Sequence, residues 1–254
     1  MDKNDILGVG ITKASEDEIL EYIIKKLEKT NEKITIFTPN PEIIVKTYKD
    51  PAFKKILNSA DISLPDGEGV VIASRFMRKN IKKRITGVDF MVRLCECVSQ
   101  HNIGVKRVAS KDAKKLITTG FIGGQEGVAE EAAKCLKKKY PTLCVNMAKN
   151  EWSEADLYKK TDILFVAFGA PKQEKWICDN IQKLPVRVMM SVGGSFDVLS
   201  GRVARAPKFF QFVKGEWLFR LAIQPWRWKR QLALIEFIFL VASDFFRSIF
   251  KNRP

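Results

Sequence analysis

Apolar positions along this chain switch between two periods. Leu20, Ile23, Ile24 and Leu27 recur at helical spacing, and "ITIF" at 34–37 then reads as a short apolar strand closed by "TPNPE". The exchange continues downstream. Strand-like runs stand at 61–64 ("DISL"), 117–123 ("ITTGFIG"), 142–147 ("TLCVNM"), 162–168 ("DILFVAF") and 186–192 ("VRVMMSV"). Between them, Val88, Met91, Val92, Cys95 and Val98, and later Val128, Ala129, Ala132, Ala133 and Leu136, follow the i, i+3, i+4, i+7 rule of an amphipathic helix. Val70 to Phe76 predicts a further helix. Runs such as "ILFVAF" are apolar on both faces, as strands are when helices cover each side of a parallel sheet. The pattern predicts an α/β fold, a doubly wound, Rossmann-like and mostly parallel sheet of about six strands with helices on both faces. Residues 1–201 form this globular unit, and 202–254 read as a basic, aromatic, helical C-terminal appendage.

Parallel strands point their carboxyl ends at one edge, where ligands of open α/β sheets bind. The unusual residues follow the strands there: Thr38-Pro39-Asn40, Pro65-Asp66-Gly67, Gly123-Gly124, Gly169 through Gln173 and Glu174, and Gly193-Gly194-Ser195-Phe196-Asp197. Asp66 has two readings, an N-cap for the next helix or a carboxylate able to take a proton from an attacking hydroxyl. "FIGGQEGVAEEA" and "VGGSFDVLSG" are glycine turns entering helices, able to bring N–H groups against a phosphate, although neither has the GxGxxG spacing. Phe196 can stack on a base or pack in the core, and Asp197 can accept from a nucleobase or ribose. No Asp-x-Asp motif, P-loop or metal-ligand cluster stands in the sequence, so leaving-group charge falls to Arg, Lys or helix N-termini. Arg84, in "KKRITG", is one candidate.

Composition narrows the partners. The net charge of +15 implies an anionic one, and the excess is local: residues 202–254 carry eleven Lys/Arg against three Asp/Glu. The longest apolar run there, Leu232 to Ala242, is interrupted by Glu236 and is too short to cross a bilayer, which takes about 20 residues. Trp217, Trp226 and Trp228 among Arg220, Arg227, Lys229 and Arg230 suit an anionic membrane interface, and the same segment can pack on the domain and close the cleft. RNA stacking on these aromatics fits less well, because the stretch beyond Leu232 is too apolar for a nucleic-acid arm. Five cysteines without CxxC spacing signal neither disulfides nor zinc. The single histidine, His101, is expected at a helix end facing solvent. The first residues lack the apolar core of a signal peptide, which predicts a cytoplasmic chain.

"TPNPE", "LPDGEGVV", "RITGVDF", "GGQEGVAEEA", "FVAFGAPKQEKWI", "VGGSFDVLSGRVARAP" and "EWLFRLAIQPWRWKRQ" occur in order over most of residues 34–231. This set resembles the WecG/TagA/CpsF glycosyltransferase family. The resemblance implies an inverting, metal-independent and cofactor-free transfer of an N-acetylmannosamine-type sugar from UDP to undecaprenyl-diphosphate-linked N-acetylglucosamine, as in wall teichoic acid linkage-unit synthesis. The enzyme would be peripheral at the inner face of the plasma membrane. It implies that Asp66 is the general base, that Thr38 and Asn40 line its pocket, that Gln173 contacts sugar or acceptor, and that Arg84 faces the diphosphate. The nucleotide would lie against Gly123, Gly124, Gly193, Gly194, Phe196 and Asp197. Arg220, Arg227 and Arg230 would complete the site by holding the leaving UDP or the lipid diphosphate, and a homo-oligomer through the globular unit fits the family. The chain departs from the family in an insertion at 105–121 and an abbreviated segment at 146–161, which bears on one wall of the cleft. A donor carrying the uronic acid form of the sugar is the alternative within the family, and a non-catalytic nucleotide- or RNA-binding module is the alternative outside it.

Overall fold

The computed structural model describes residues 1–107, 115–154, 156, 160–207, 210, 215–223 and 228–251. Six strands form one sheet: β3 (Ile34–Phe37), β4 (Ile62–Ser63), β5 (Thr118–Gly123), β6 (Cys144–Lys149), β7 (Ile163–Ala167) and β8 (Val188–Ser191). Their spatial order is β4-β3-β8-β7-β5-β6, and every neighbouring pair is parallel. The predicted doubly wound α/β architecture is the one observed.

Side chains alternate across this sheet with the period of a strand. Ile34, Ile36, Phe121, Ile163, Phe165, Val188 and Met190 face one core with helices α1 (Glu16–Lys29), α5 (Gly87–Arg107) and α6 (Val128–Lys139). Phe37, Ile122, Leu164, Val166 and Met189 face a second core under α2 (Pro41–Lys49), α3 (Pro51–Asn58), α4 (Glu68–Phe76) and α7 (Lys172–Asn180). Two short helices complete the described body, α8 (Ser195–Leu199) and α9 (Glu216–Ile223), and the long α10 (Trp228–Lys251) packs on α2 and α4.

Two features depart from the pattern-based expectation. The N-terminal residues form an antiparallel hairpin, β1 (Lys3–Ile6) with β2 (Val9–Thr12), turning through Leu7 and Gly8. Both turn residues have positive φ, which two-residue hairpins need, but Leu7 is not the Asn or Asp that usually signals it. Leu7 is buried, and burying a leucine is worth about 1.5–3 kcal/mol against a left-handed cost of roughly 1–2 kcal/mol, so packing offsets the strain. His101 lies inside α5, which runs on to Arg107, and its ring is largely buried between Glu28 and the Lys115 carbonyl. It therefore does not face solvent. Of the segment expected as an insertion at 105–121, residues 108–114 lie outside the described ones.

The amino edge of the sheet is held by a buried ion pair. Asp162, just before β7, accepts from the Thr118 N–H and hydroxyl at 2.9 Å each and from Arg187 at 2.9 and 3.2 Å. Arg187 also donates to the carbonyls of Leu27 and Thr30 at the end of α1. Burial pushes the Asp162 pKa up, but the bonds from Thr118 and the Arg187 charge outweigh it, and the net shift is downward. A lowered carboxylate pKa gives stability that is present above the unfolded value near 3.9 and is lost as pH falls through the folded value below it. Asp162→Asn is expected to cost about 3 kcal/mol in urea unfolding at pH 7 and to flatten the acid limb of stability below about pH 4.

Candidate functional site

The carboxyl edge of the sheet carries a cavity of about 730 Å³. Its floor is built from loops that follow four strands. Thr38 and Asn40 follow β3, Asp66 and Gly67 follow β4, Gly169, Ala170 and Gln173 follow β7, and Gly193, Gly194 and Ser195 follow β8. Arg84, Thr86 and Gly87, at the start of α5, close one side.

Backbone hydrogen bonds register three of these loops. Leu64 N–H donates to the Phe37 carbonyl at 2.8 Å, Asp66 N–H to the Pro39 carbonyl at 3.1 Å, and Ile85 N–H to the Pro65 carbonyl at 3.0 Å. Asp66, Thr38 and Arg84 are thereby held side by side although they are far apart in sequence. Asp66 is half-buried and does not cap α4: the cap position is Gly67, at φ +94°, with no side-chain cap bond. Asp66 lines the cavity and is not the cap of the helix that follows it. A Cβ at Gly67 would stand 3.3 Å from Pro41 Cδ, so glycine is what lets the β3 and β4 loops close on each other. Asn40 caps α2, its Oδ1 accepting from Ile43 N–H at 2.9 Å, and lines the cavity.

The cavity has two unlike halves. Beside the polar floor, Ile72, Ala73 and Phe76 of α4 and Leu234, Phe237, Ile238, Val241 and Ala242 of α10 form an apolar wall, with Leu221 of α9 at its rim. The C-terminal helix thus closes the cleft, as one of the two readings of the tail expected. The N-terminal ends of α2, α4, α5, α7 and α8 meet this edge, so partial positive charge converges on it. Among the described residues, no group of three or more His, Cys, Asp or Glu side chains comes together in metal-binding geometry.

Several candidate ligands serve the fold instead. Phe196 is fully buried, its ring 5.7 Å from that of Phe121 in the core, so it presents no face to a base. Gly123 ends β5 and Gly124 follows it, one strand beyond those whose loops line the cavity, and neither residue lines it. A Cβ at Gly123, with φ +103°, would fall 2.7 Å from the Ala167 carbonyl carbon, and the Gly124 N–H donates to the Ala167 oxygen at 3.0 Å. That turn is glycine-rich because β5 and β7 crowd there. Gly193 lines the cavity, but its N–H is taken by the Gln173 side-chain oxygen at 3.1 Å. Asp197 does not line the cavity, and its carboxylate lies over Gly194, 3.4 Å from where a Cβ would stand. Gln173 lines the cavity although it is only 2% exposed. Arg227 lies outside the described residues, as do the side chains of Arg220, Arg230 and Trp217; Trp226 lies outside them altogether.

Comparison with known proteins agrees with the motif order. The model of the glycosyl transferase WecG/TagA/CpsF family matches residues 4–250. A Bacillus spizizenii protein is 34% identical over 233 residues, covering 87% of this chain and 85% of its own. A Bacillus subtilis protein is 30% identical over 251 residues (96% and 93%), and a Staphylococcus aureus protein 30% over 236 (90% and 86%). All three are named N-acetylglucosaminyldiphosphoundecaprenol N-acetyl-β-D-mannosaminyltransferase.

The loop closure makes a direct prediction. Gly67→Ala should lower stability by about 1–3 kcal/mol in thermal unfolding, through the forced φ and the contact with Pro41, and should displace Asp66 enough to reduce turnover.

Proposed function

Because this chain belongs to the WecG/TagA/CpsF glycosyltransferase family, we propose that it transfers N-acetylmannosamine from a UDP-linked donor to undecaprenyl-diphosphate-linked N-acetylglucosamine, the linkage-unit step of wall teichoic acid synthesis. The relatives' names supply the sugar and the acceptor. The observation that carries the reading is the two-sided cavity, a polar floor around Asp66 joined to an apolar wall of α4 and α10. An acceptor that is sugar diphosphate at one end and polyprenyl at the other asks for such a pair of surfaces in contact.

In this mechanism the Asp66 carboxylate takes the proton of the acceptor hydroxyl as its oxygen bonds to the anomeric carbon. The bond from that carbon to the β-phosphate oxygen breaks on the opposite side, so a single displacement inverts the centre. Charge collecting on the departing UDP is met by Arg84 and the N-terminal end of α5, with Arg220, Arg227 and Arg230 of the appendage proposed to complete the clamp. Thr38 and Asn40 orient the sugars beside Asp66, and Gly193 and Gly194 border the donor.

The same reading places the protein peripherally on the inner face of the plasma membrane. No helix among the described residues is long and apolar enough to cross a membrane. α10 nevertheless carries apolar residues on two sides. Phe237 and Val241 are buried against the body, while Leu232, Ile235, Phe239 and Phe246 are exposed, Phe239 by 72%. Ile72 and Phe76 of α4 are also exposed, and Phe76 meets Phe245 at 4.3 Å between ring centroids. Arg75 in the last turn of α4, and Arg78, Lys79, Lys82 and Lys83 after it, are exposed, so cations flank an apolar face as an anionic bilayer requires.

Two measurements test this. Asp66→Ala should retain UDP binding and the wild-type melting temperature while transfer, followed by mass spectrometry with UDP-N-acetylmannosamine and a short-chain polyprenyl acceptor, falls by about 10²–10⁴; near-normal turnover would reject the base. Ile235→Glu with Phe239→Glu should leave the melting temperature unchanged and lower binding to anionic vesicles by about tenfold or more, and retained binding would remove α10 from the membrane contact.

A further inference from the structure

Gln173 and Glu174 occupy the first turn of α7 and are both buried. One atom of Gln173, its side-chain oxygen, receives two backbone donors: the Gly169 N–H at 3.2 Å and the Gly193 N–H at 3.1 Å. Gly169 follows β7 and Gly193 follows β8, so a single amide oxygen joins two of the turns that border the cavity. Two N–H donors can be met only by an acceptor. The amide must therefore point its oxygen at the turns and its NH₂ away from them.

The NH₂ meets Glu174, whose Oε1 accepts from it at 2.7 Å. Glu174 is fully buried, and burial pushes its pKa up, the Gln173 bond, the neighbouring Ser191 hydroxyl and the Lys46 charge offsetting this only in part. Its other oxygen and the Ser191 hydroxyl lack a formed hydrogen bond among the described residues, though the two side chains face each other closely enough to interact. A carboxyl is a costly residue to bury, and an apolar side chain here would avoid the desolvation. It would also leave the Gln173 NH₂ without a partner. With the amide reversed, NH₂ would face two N–H donors, which is repulsive in either protonation state of Glu174, and its oxygen would face the carboxyl, which is repulsive when that group is ionised.

We propose that Glu174 is a positioning residue: by accepting from Gln173 it locks that amide with its oxygen toward Gly169 and Gly193, and so fixes the separation of the β7 and β8 turns across the cavity. Either protonation state of the carboxyl can serve, because Oε1 accepts in both. The effect on transfer rests on the function proposed above, in which the Gly193 turn borders the donor while Asp66 stands on separate loops. Loosening the lock then acts on donor affinity more than on the chemical step.

Amide hydrogen exchange of the full chain, read at Gly169 and Gly193, tests the lock without any substrate. Glu174→Met should speed exchange at both glycines by about tenfold or more, Glu174→Gln should leave both as in the wild type, and Glu174→Met combined with Gln173→Met should exchange no faster than Gln173→Met alone. In transfer assays Glu174→Met should raise the donor KM about tenfold with kcat within about threefold, and Glu174→Gln should restore KM. Unchanged protection in Glu174→Met, equal damage from Glu174→Gln and Glu174→Met, or additive effects in the double variant would overturn the lock. Should Glu174→Met not fold, Glu174→Gln decides alone, with protection kept at both glycines supporting the lock and lost at either refuting it. A wild type that shows no transfer while the exchange results hold would reject the transferase reading and leave the lock standing.

Discussion

Everything at the ligand edge depends on the parallel pairing of β3 with β8. Ile34 lies beside Val188 and Ile36 beside Met190, so the chain leaving β3 and the chain leaving β8 emerge together, Thr38 near Val192 and Gly193. Were the two strands antiparallel, these loops would stand at opposite edges of the sheet. The pairing joins segments about 150 residues apart, and what holds it is burial on both faces: each of these strands sends alternate side chains into two separate cores. β4 and β7 extend the same direction outward on either side, which brings Asp66 and Gln173 to the same crevice.

The two edges of the sheet divide stability from function. At the amino edge, Asp162 and Arg187 form an ion pair that, through Thr118 and the Leu27 and Thr30 carbonyls, ties β5, β7 and the end of α1 together. At the carboxyl edge, acidic and basic groups border a cavity, and the backbone is shaped by glycines whose freedom is used for close approach. Gly67 admits Pro41 and Gly123 admits the end of β7. Such positions cost conformational entropy and return precise placement, which suits a site where a base must meet a hydroxyl within hydrogen-bond reach.

The C-terminal helix belongs to both the body and its surroundings. Its inner side, at Phe237 and Val241, is buried as deeply as a core residue, and the Lys49–Glu236 pair fastens it to α2 at 2.8 Å. Its outer side exposes further apolar residues, among them Leu232, Ile235 and Phe239. A membrane on that side and a polar cleft on the other would put a lipid-linked acceptor at the boundary between them. This is the physical sense of the proposed function.

Local pattern determined the architecture. The apolar runs marked all six strands of the sheet because period-2 and period-3.6 burial are written in adjacent residues, and the alternation of the two implied parallel strands with a shared ligand edge. The edge residues Thr38, Asn40, Asp66, Arg84, Gln173, Gly193 and Gly194 were legible for the same reason, each standing just past a strand end or at a helix start. The hairpin at 3–12 was not, because its turn uses Leu7, whose left-handed conformation is bought by burial in a core that no local window contains. Nor could the sequence say that Phe196 turns inward, that the amides of Gly124 and Gly193 are already engaged, or which residues of α10 wall the cleft. Those outcomes are set by which atoms of remote segments arrive first at a shared donor, acceptor or apolar surface, and only the packed tertiary structure decides that.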